Sequence, residues 1–169
     1  MMKAFAYLTL TSILLFSSCA EQEKTPLEKL RGMWKLDRFE MKDSLNNNWV
    51  AEPSREGYSG YILYDGLGHV AVHLTPKGYK EYDVNKQVDS LSHEELLGRA
   101  RFYQSNYVYI ANASVTDSTV IHNRLSATSP KDWGIVVTRD LEIHNDTLIL
   151  TTREKIGGIQ LRVKWIKMP

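Results

Sequence analysis

From residue 32 onward, short stretches rich in Val, Ile, Tyr, Thr and Trp alternate with clusters of turn residues. That rhythm admits few folds, because period-2 apolar patterning with regular turns marks antiparallel strands. Strands are expected near 33–41, 57–64, 69–75, 107–114, 117–125, 134–143, 147–153 and 159–167. The turns between them have physical reasons. Asp65-Gly66-Leu67-Gly68 and Gly157-Gly158 supply glycines for positive φ, and Asn145-Asp146 tolerates the left-handed region. Hairpins in sequence make an up-and-down meander. Eight such strands close into a barrel whose interior is filled by side chains or holds one small ligand. The expected fold is therefore all-β, an eight-stranded antiparallel up-and-down barrel. The 169 residues suit one such domain.

One segment breaks the β rhythm. Ser92-His93-Glu94-Glu95 has the form of a capping box, with Ser92 as N-cap and Glu95 at the third helical position. Leu96, Ala100 and Tyr103 follow at helical spacing. A helix is expected near 93–104, lidding a barrel mouth or packing outside it.

The N-terminus carries a different signal. Met1-Met2-Lys3 is a short basic start, and Ala4 to Phe16 is almost free of polarity. This run is shorter than the roughly 20 apolar residues of a spanning helix and fits a secretory signal. Leu15-Phe16-Ser17-Ser18-Cys19 resembles a bacterial lipobox, with Phe16 where that motif prefers Leu. Cys19 is the only cysteine, so it cannot form an internal disulfide. The resemblance implies a signal peptide over 1–18 and an acylated Cys19, with palmitate-type chains as the anchor. A tether over 19–28 and a barrel domain over 29–169 follow. The expected location is the cell envelope, on a membrane such as the outer membrane, facing the periplasm or the exterior. The alternatives are an ordinary cleaved signal with an accidental cysteine, or an uncleaved anchor.

Leu30-Arg31-Gly32-Met33-Trp34-Lys35-Leu36 contains the G-x-W pattern of lipocalins. Gly60-Tyr61-Ile62-Leu63-Tyr64-Asp65, His69-Val70-Ala71-Val72, Thr119-Val120-Ile121-His122, Trp133-Gly134 and Val163-Lys164-Trp165 follow in order. Together these resemble the lipocalin-like domain family over about 29–167, departing in the long middle segment 76–105. The resemblance implies a calycin-type barrel that binds something small and partly apolar. It implies no shared activity, since fold alone does not give function.

Strand parity nominates the interior. Ile135, Val137, Arg139, Leu141 and Ile143 share one face, apolar except for the arginine. Val120 and His122 lie together with Ser118 and Arg124, and Leu161, Val163 and Trp165 form the apolar side of the last strand. A guanidinium amid apolar neighbours needs an acceptor. Arg139 is thus the candidate polar anchor for a ligand, with His122, Tyr109, Tyr64 and His73 as further ligand-binding candidates. Alternatively Arg139 braces the barrel through backbone carbonyls or an acidic side chain, and His122 is a satisfied barrel histidine. No metal site is expected. His69 and His73 have i, i+4 spacing, but on a strand that spacing covers about 13 Å. Trp34 and Trp165 read as core, Trp133 as a rim residue and Trp49 as a loop residue.

Charge announces no partner. Lys+Arg number 21 against 20 Asp+Glu, so the basic excess of a nucleic-acid binder is missing. No cofactor motif occurs. The leading expectation is a membrane-tethered barrel binding a small hydrophobic or amphipathic molecule. The alternatives are an interaction subunit of an envelope complex with a filled barrel, or a small enzyme (isomerase or hydrolase) using His122 and Arg139.

Overall fold

The computed structural model describes residues 24–80, 86–155 and 157–169. The signal segment, and Cys19 with it, lies outside the described residues. A short helix α1 (Pro26–Leu30) leads into the strands β1 (Gly32–Lys42), β2 (Trp49–Ala51), β3 (Ser59–Tyr64) and β4 (His69–Thr75). Helix α2 (His93–Gln104) follows, then β5 (Tyr107–Val115), β6 (Thr119–Ala127), β7 (Val136–His144), β8 (Thr147–Thr152) and β9 (Leu161–Lys167). Every pairing is antiparallel, and β1 meets both β3 and β9. Eight strands therefore close a barrel in meander order, as expected from the turn spacing. The short β2 is an addition: it pairs with the far end of β1, Glu40 to Lys42, beyond the reach of β3.

The connections divide the barrel into two ends. Tight turns join β3 to β4, β5 to β6 and β7 to β8 at one end. The described residues of the segments 43–58, 76–106, 128–135 and 153–160 lie at the other, which is the mouth. The closed end is plugged by α1. Pro26 at its first position and a Thr25–Glu28 capping box start this helix, satisfying backbone N–H groups that would otherwise lack partners. The tether expected over 19–28 thus gives way to helix at Pro26. Leu30 and Trp34 are both fully buried, and the Trp34 indole N–H donates to the Leu30 carbonyl at 2.7 Å.

Two β-bulges reset which residues face inward. One leaves Asp37 unpaired between Leu36 and Arg38, so the inward series on β1 runs Trp34, Leu36, Phe39. The other leaves Leu125 unpaired on β6, so that after Val120, His122 and Arg124 the inward series resumes at Ala127. Leu141, Leu148, Leu150 and Trp165 complete the core from β7 to β9. Helix α2 starts at the expected capping box, with Ser92 and Glu95 satisfying each other's backbone N–H groups. It buries no residue, and Phe102 stacks on the Tyr79 ring at 5.8 Å.

Gly60 has the tightest surroundings of any glycine here. Its φ is +155°, and a Cβ at this position would stand 2.1 Å from the His73 carbonyl oxygen across the β3–β4 pair. No side chain can yield, because the obstacle is backbone. Gly60→Ala is expected to lower the unfolding free energy by about 3 kcal/mol through strain and overpacking. Urea denaturation checks this, and a loss below about 0.5 kcal/mol, the size of a neutral surface change, would refute it.

Candidate functional site

The interior is apolar except at mid-height, where β6 and β7 bring polar side chains to one wall. Arg139 pairs across the sheet with Val120, and His122 lies two residues further on the same inner face. Diagonal neighbours of this kind lie within reach of long side chains. The Arg139 guanidinium donates through Nη1 to His122 Nδ1 at 3.1 Å. The Tyr109 hydroxyl, from β5, lies 2.9 Å from the same nitrogen. Tyr64 reaches across from β3 to place its hydroxyl 3.0 Å from His122 Nε2. Four of the five expected ligand-binding residues are thus one connected cluster.

The fifth, His73, is not part of it. It alternates with Val72 and Leu74, both buried, so the pleat of β4 turns it to the outer surface. There its Nε2 meets Asn106 Oδ1 at 3.1 Å. Ile135 also leaves the inner face: it precedes β7 and is exposed.

Hydrogen-bond logic fixes the state of His122. Arginine only donates, so Nδ1 carries the lone pair and the proton sits on Nε2, donating to the Tyr64 oxygen. The ring is neutral. Burial, then the charges of Arg139 and Arg124, push its pKa well below the ordinary histidine value. Burial likewise raises the Tyr64 pKa well above the usual tyrosine value, so the hydroxyl keeps its proton. With its single lone pair already engaged, His122 is poorly placed to serve as a general base.

Arg124 is a polar resident that sequence reasoning grouped with Val120 and His122 without giving it a role. It is buried, pairs with Asp132 at 3.2 Å and lies 5.0 Å over the Tyr109 ring. Arg139 differs. Among the described residues no carboxylate pairs with it, and His122 is its one hydrogen-bond partner. Among the described residues it therefore makes no brace through carbonyls or an acidic side chain.

Above this cluster lies a cavity of about 100 Å³. Arg139, Tyr109 and Trp165 line it, together with Ile62, Leu150 and Val163. His122 and Tyr64 sit beneath, fully buried, where they position Arg139 and Tyr109. The Trp165 indole N–H is buried and has no hydrogen-bond partner among the described residues. Parity placed Trp165 inside, but its unpaired donor has no signal in the sequence. Arg55 also borders the cavity, from a 3₁₀ turn over Pro53–Arg55 at the mouth, with its guanidinium 4.8 Å above the Phe39 ring. A residue in so irregular a segment has no parity to read.

A closed meander barrel with long loops at one end and a polar-floored cavity beneath them is a small calycin-type barrel. The model of the lipocalin-like domain family matches residues 31–164, and the chain belongs to that family. No curated protein matches the sequence. Among solved structures, the chain is similar to As-p18, an extracellular fatty acid binding protein. The TM-score is 0.40 and the identity 13%, covering 86% of this chain and 100% of that one.

The neutral His122 makes stability depend on pH with a definite sign. As pH falls through about 6.5, the unfolded chain takes up a proton on this residue and the folded one does not. Stability is full above that value and lost below it, at up to about 1.4 kcal/mol per pH unit from the one proton. Comparing urea unfolding of wild type and His122→Gln between about pH 8 and about pH 5 isolates this component. A difference between the two that does not change with pH would refute the assignment.

Proposed function

We propose that this protein is a tethered carrier: a lipocalin-like barrel that holds one small amphipathic molecule in its cavity, the polar end on Arg139. The observation that carries this reading is the guanidinium itself. It borders the cavity, uses one N–H on a neutral histidine and meets no carboxylate of the described residues. A charge so placed is costly unless something else supplies acceptors. The apolar lining around it suits the rest of such a molecule, as in pockets where a few polar groups fix orientation.

The tether rests on the N-terminal pattern, a short apolar run ending at Leu15-Phe16-Ser17-Ser18-Cys19. The fold adds a consequence. The chain enters through α1 at the closed end, opposite the mouth. An acyl anchor on Cys19 would hold that end near the membrane, since the six residues to Thr25 extend at most about 20 Å. The mouth would then face away from the lipid, toward the periplasm or the exterior.

Native mass spectrometry of the purified protein, with organic extraction, tests the carrier reading. A stoichiometric small molecule is expected, lost in Arg139→Gln while the thermal melt stays cooperative. A clean apo mass in wild type, after purification without denaturant, would oppose it. For the tether, the wild-type chain is expected in the membrane fraction and Cys19→Ser in the soluble fraction. Equal partitioning of the two would oppose lipidation.

A further inference from the structure

Resting on the carrier reading, we propose that the ligand is a short-chain carboxylate: one carboxyl group on Arg139 and a tail of only a few carbons beneath Arg55. Three features of the cavity lead there, and each excludes a different class.

The first is charge. Two guanidinium groups border the cavity, Arg139 and Arg55, and among the described residues no carboxylate does. The Trp165 N–H adds a buried donor with no protein partner. Arg139 has further N–H groups beyond the one on His122. Apart from the hydroxyls of Tyr107, Tyr109 and Thr152, the polar side chains of the described lining are donors, so a cation finds no charged partner there and a neutral alcohol satisfies little of the demand. A carboxylate offers about four lone-pair sites and accepts from a guanidinium in paired geometry.

The second is the apolar remainder. Ile62, Val72, Leu150 and Val163 line the same space. An inorganic anion would leave these side chains facing a group they cannot solvate. A tail of carbon atoms buries against them at about 0.8 kcal/mol per methylene.

The third is size. About 100 Å³ is well below the roughly 300–1,000 Å³ of pockets for drug-sized ligands. It is also smaller than the ~150 Å³ cavity that admits benzene, so it holds about four to six non-hydrogen atoms. The chain cannot extend downward, because His122, Tyr64 and Trp34 fill the barrel below without exposure. Toward the mouth it would have to pass Arg55, which borders the cavity with its guanidinium over Phe39 and meets Glu52 at 3.7 Å. Propanoate or butanoate fills this space, whereas a long acyl chain would have to leave it past Arg55.

The test is calorimetric titration of the purified protein with a series of linear carboxylates from acetate to dodecanoate, with inorganic phosphate and butylammonium as further arms. Butanoate is expected to bind about tenfold or more tightly than dodecanoate, phosphate or butylammonium, a gap of ~1.4 kcal/mol or more. In Arg55→Ala the roof opens, and the preferred chain is expected to lengthen. In Arg139→Gln all carboxylates are expected to lose about tenfold or more, the loss of a charge-assisted contact. Dodecanoate binding tightest to wild type would overturn the short-chain class and leave the carrier reading standing. Phosphate equal to butanoate would overturn the need for a tail. If no carboxylate binds yet extraction yields another stoichiometric molecule, the acid class fails alone. If neither binding nor an extracted molecule is found, both readings fail.

Discussion

Trp34 to Met41 on β1 runs antiparallel to Leu161 to Lys167 on β9, and this seam turns an open meander into a barrel. Without it the sheet would present two edges, each a row of unpaired backbone groups. The seam is clamped on its outer side by Glu40, which is buried although it faces outward. Its carboxylate meets Arg162, the Lys164 ammonium at 3.2 Å and Arg38 Nε at 3.0 Å. The Trp49 ring of β2 lies 4.3 Å from the Arg162 guanidinium, so the added strand shields the clamp from water. A carboxylate bonded to three cations under such cover is far stronger than an exposed pair, which contributes little. Closure also fixes the interior width. Eight strands leave room for side chains and little else, so any cavity must come from where side chains stop short.

They stop short in the half nearest the mouth. Below Arg139 the large side chains of Trp34, Tyr64 and Leu148 fill the barrel completely. Above it the shorter side chains Val72, Leu150 and Val163 stand among Phe39, Tyr107 and Trp165, and a cavity is left between them. The bulge at Asp37 contributes here, because it turns Phe39 rather than Arg38 inward beneath the mouth. Backbone irregularity and residue size thus define the cavity together, with Arg139 at the boundary between packed and unpacked halves.

Much of this was legible in the sequence, and the failures are instructive. The strands follow their turn residues because alternation has a single period to obey. Arg139, His122, Tyr109 and Tyr64 sit inward where parity places them. His73 was nominated against its own strand, whose apolar partners Val72 and Leu74 already claimed the interior. Trp49 read as loop because its three-residue strand is too short to show alternation. Helix α1 is only five residues, and its capping box is legible only once the chain is known to turn there. Arg55 and the unpaired Trp165 N–H arise from tertiary placement, which no local pattern encodes.

The two inner arginines show why the cluster has an unsatisfied side. Arg124 is neutralised by Asp132 and covered by the faces of Tyr107 and Tyr109. Arg139 has only His122, and that ring cannot neutralise it. Were His122 protonated, a third positive charge would stand beside two others in a medium of low polarity, which the burial of the ring forbids. By staying neutral, the imidazole offers Arg139 a lone pair that fixes its position without cancelling its charge. Tyr64 and Tyr109 hold the ring itself in place. Among the described residues, three buried side chains orient this guanidinium and none discharges it. Packing alone would not need such an arrangement, since an apolar residue at position 139 would fill the wall without a charge to solvate. The field left at the cavity floor is positive and fixed in direction. On the proposed reading, such a field favours a small anion over a neutral or cationic guest.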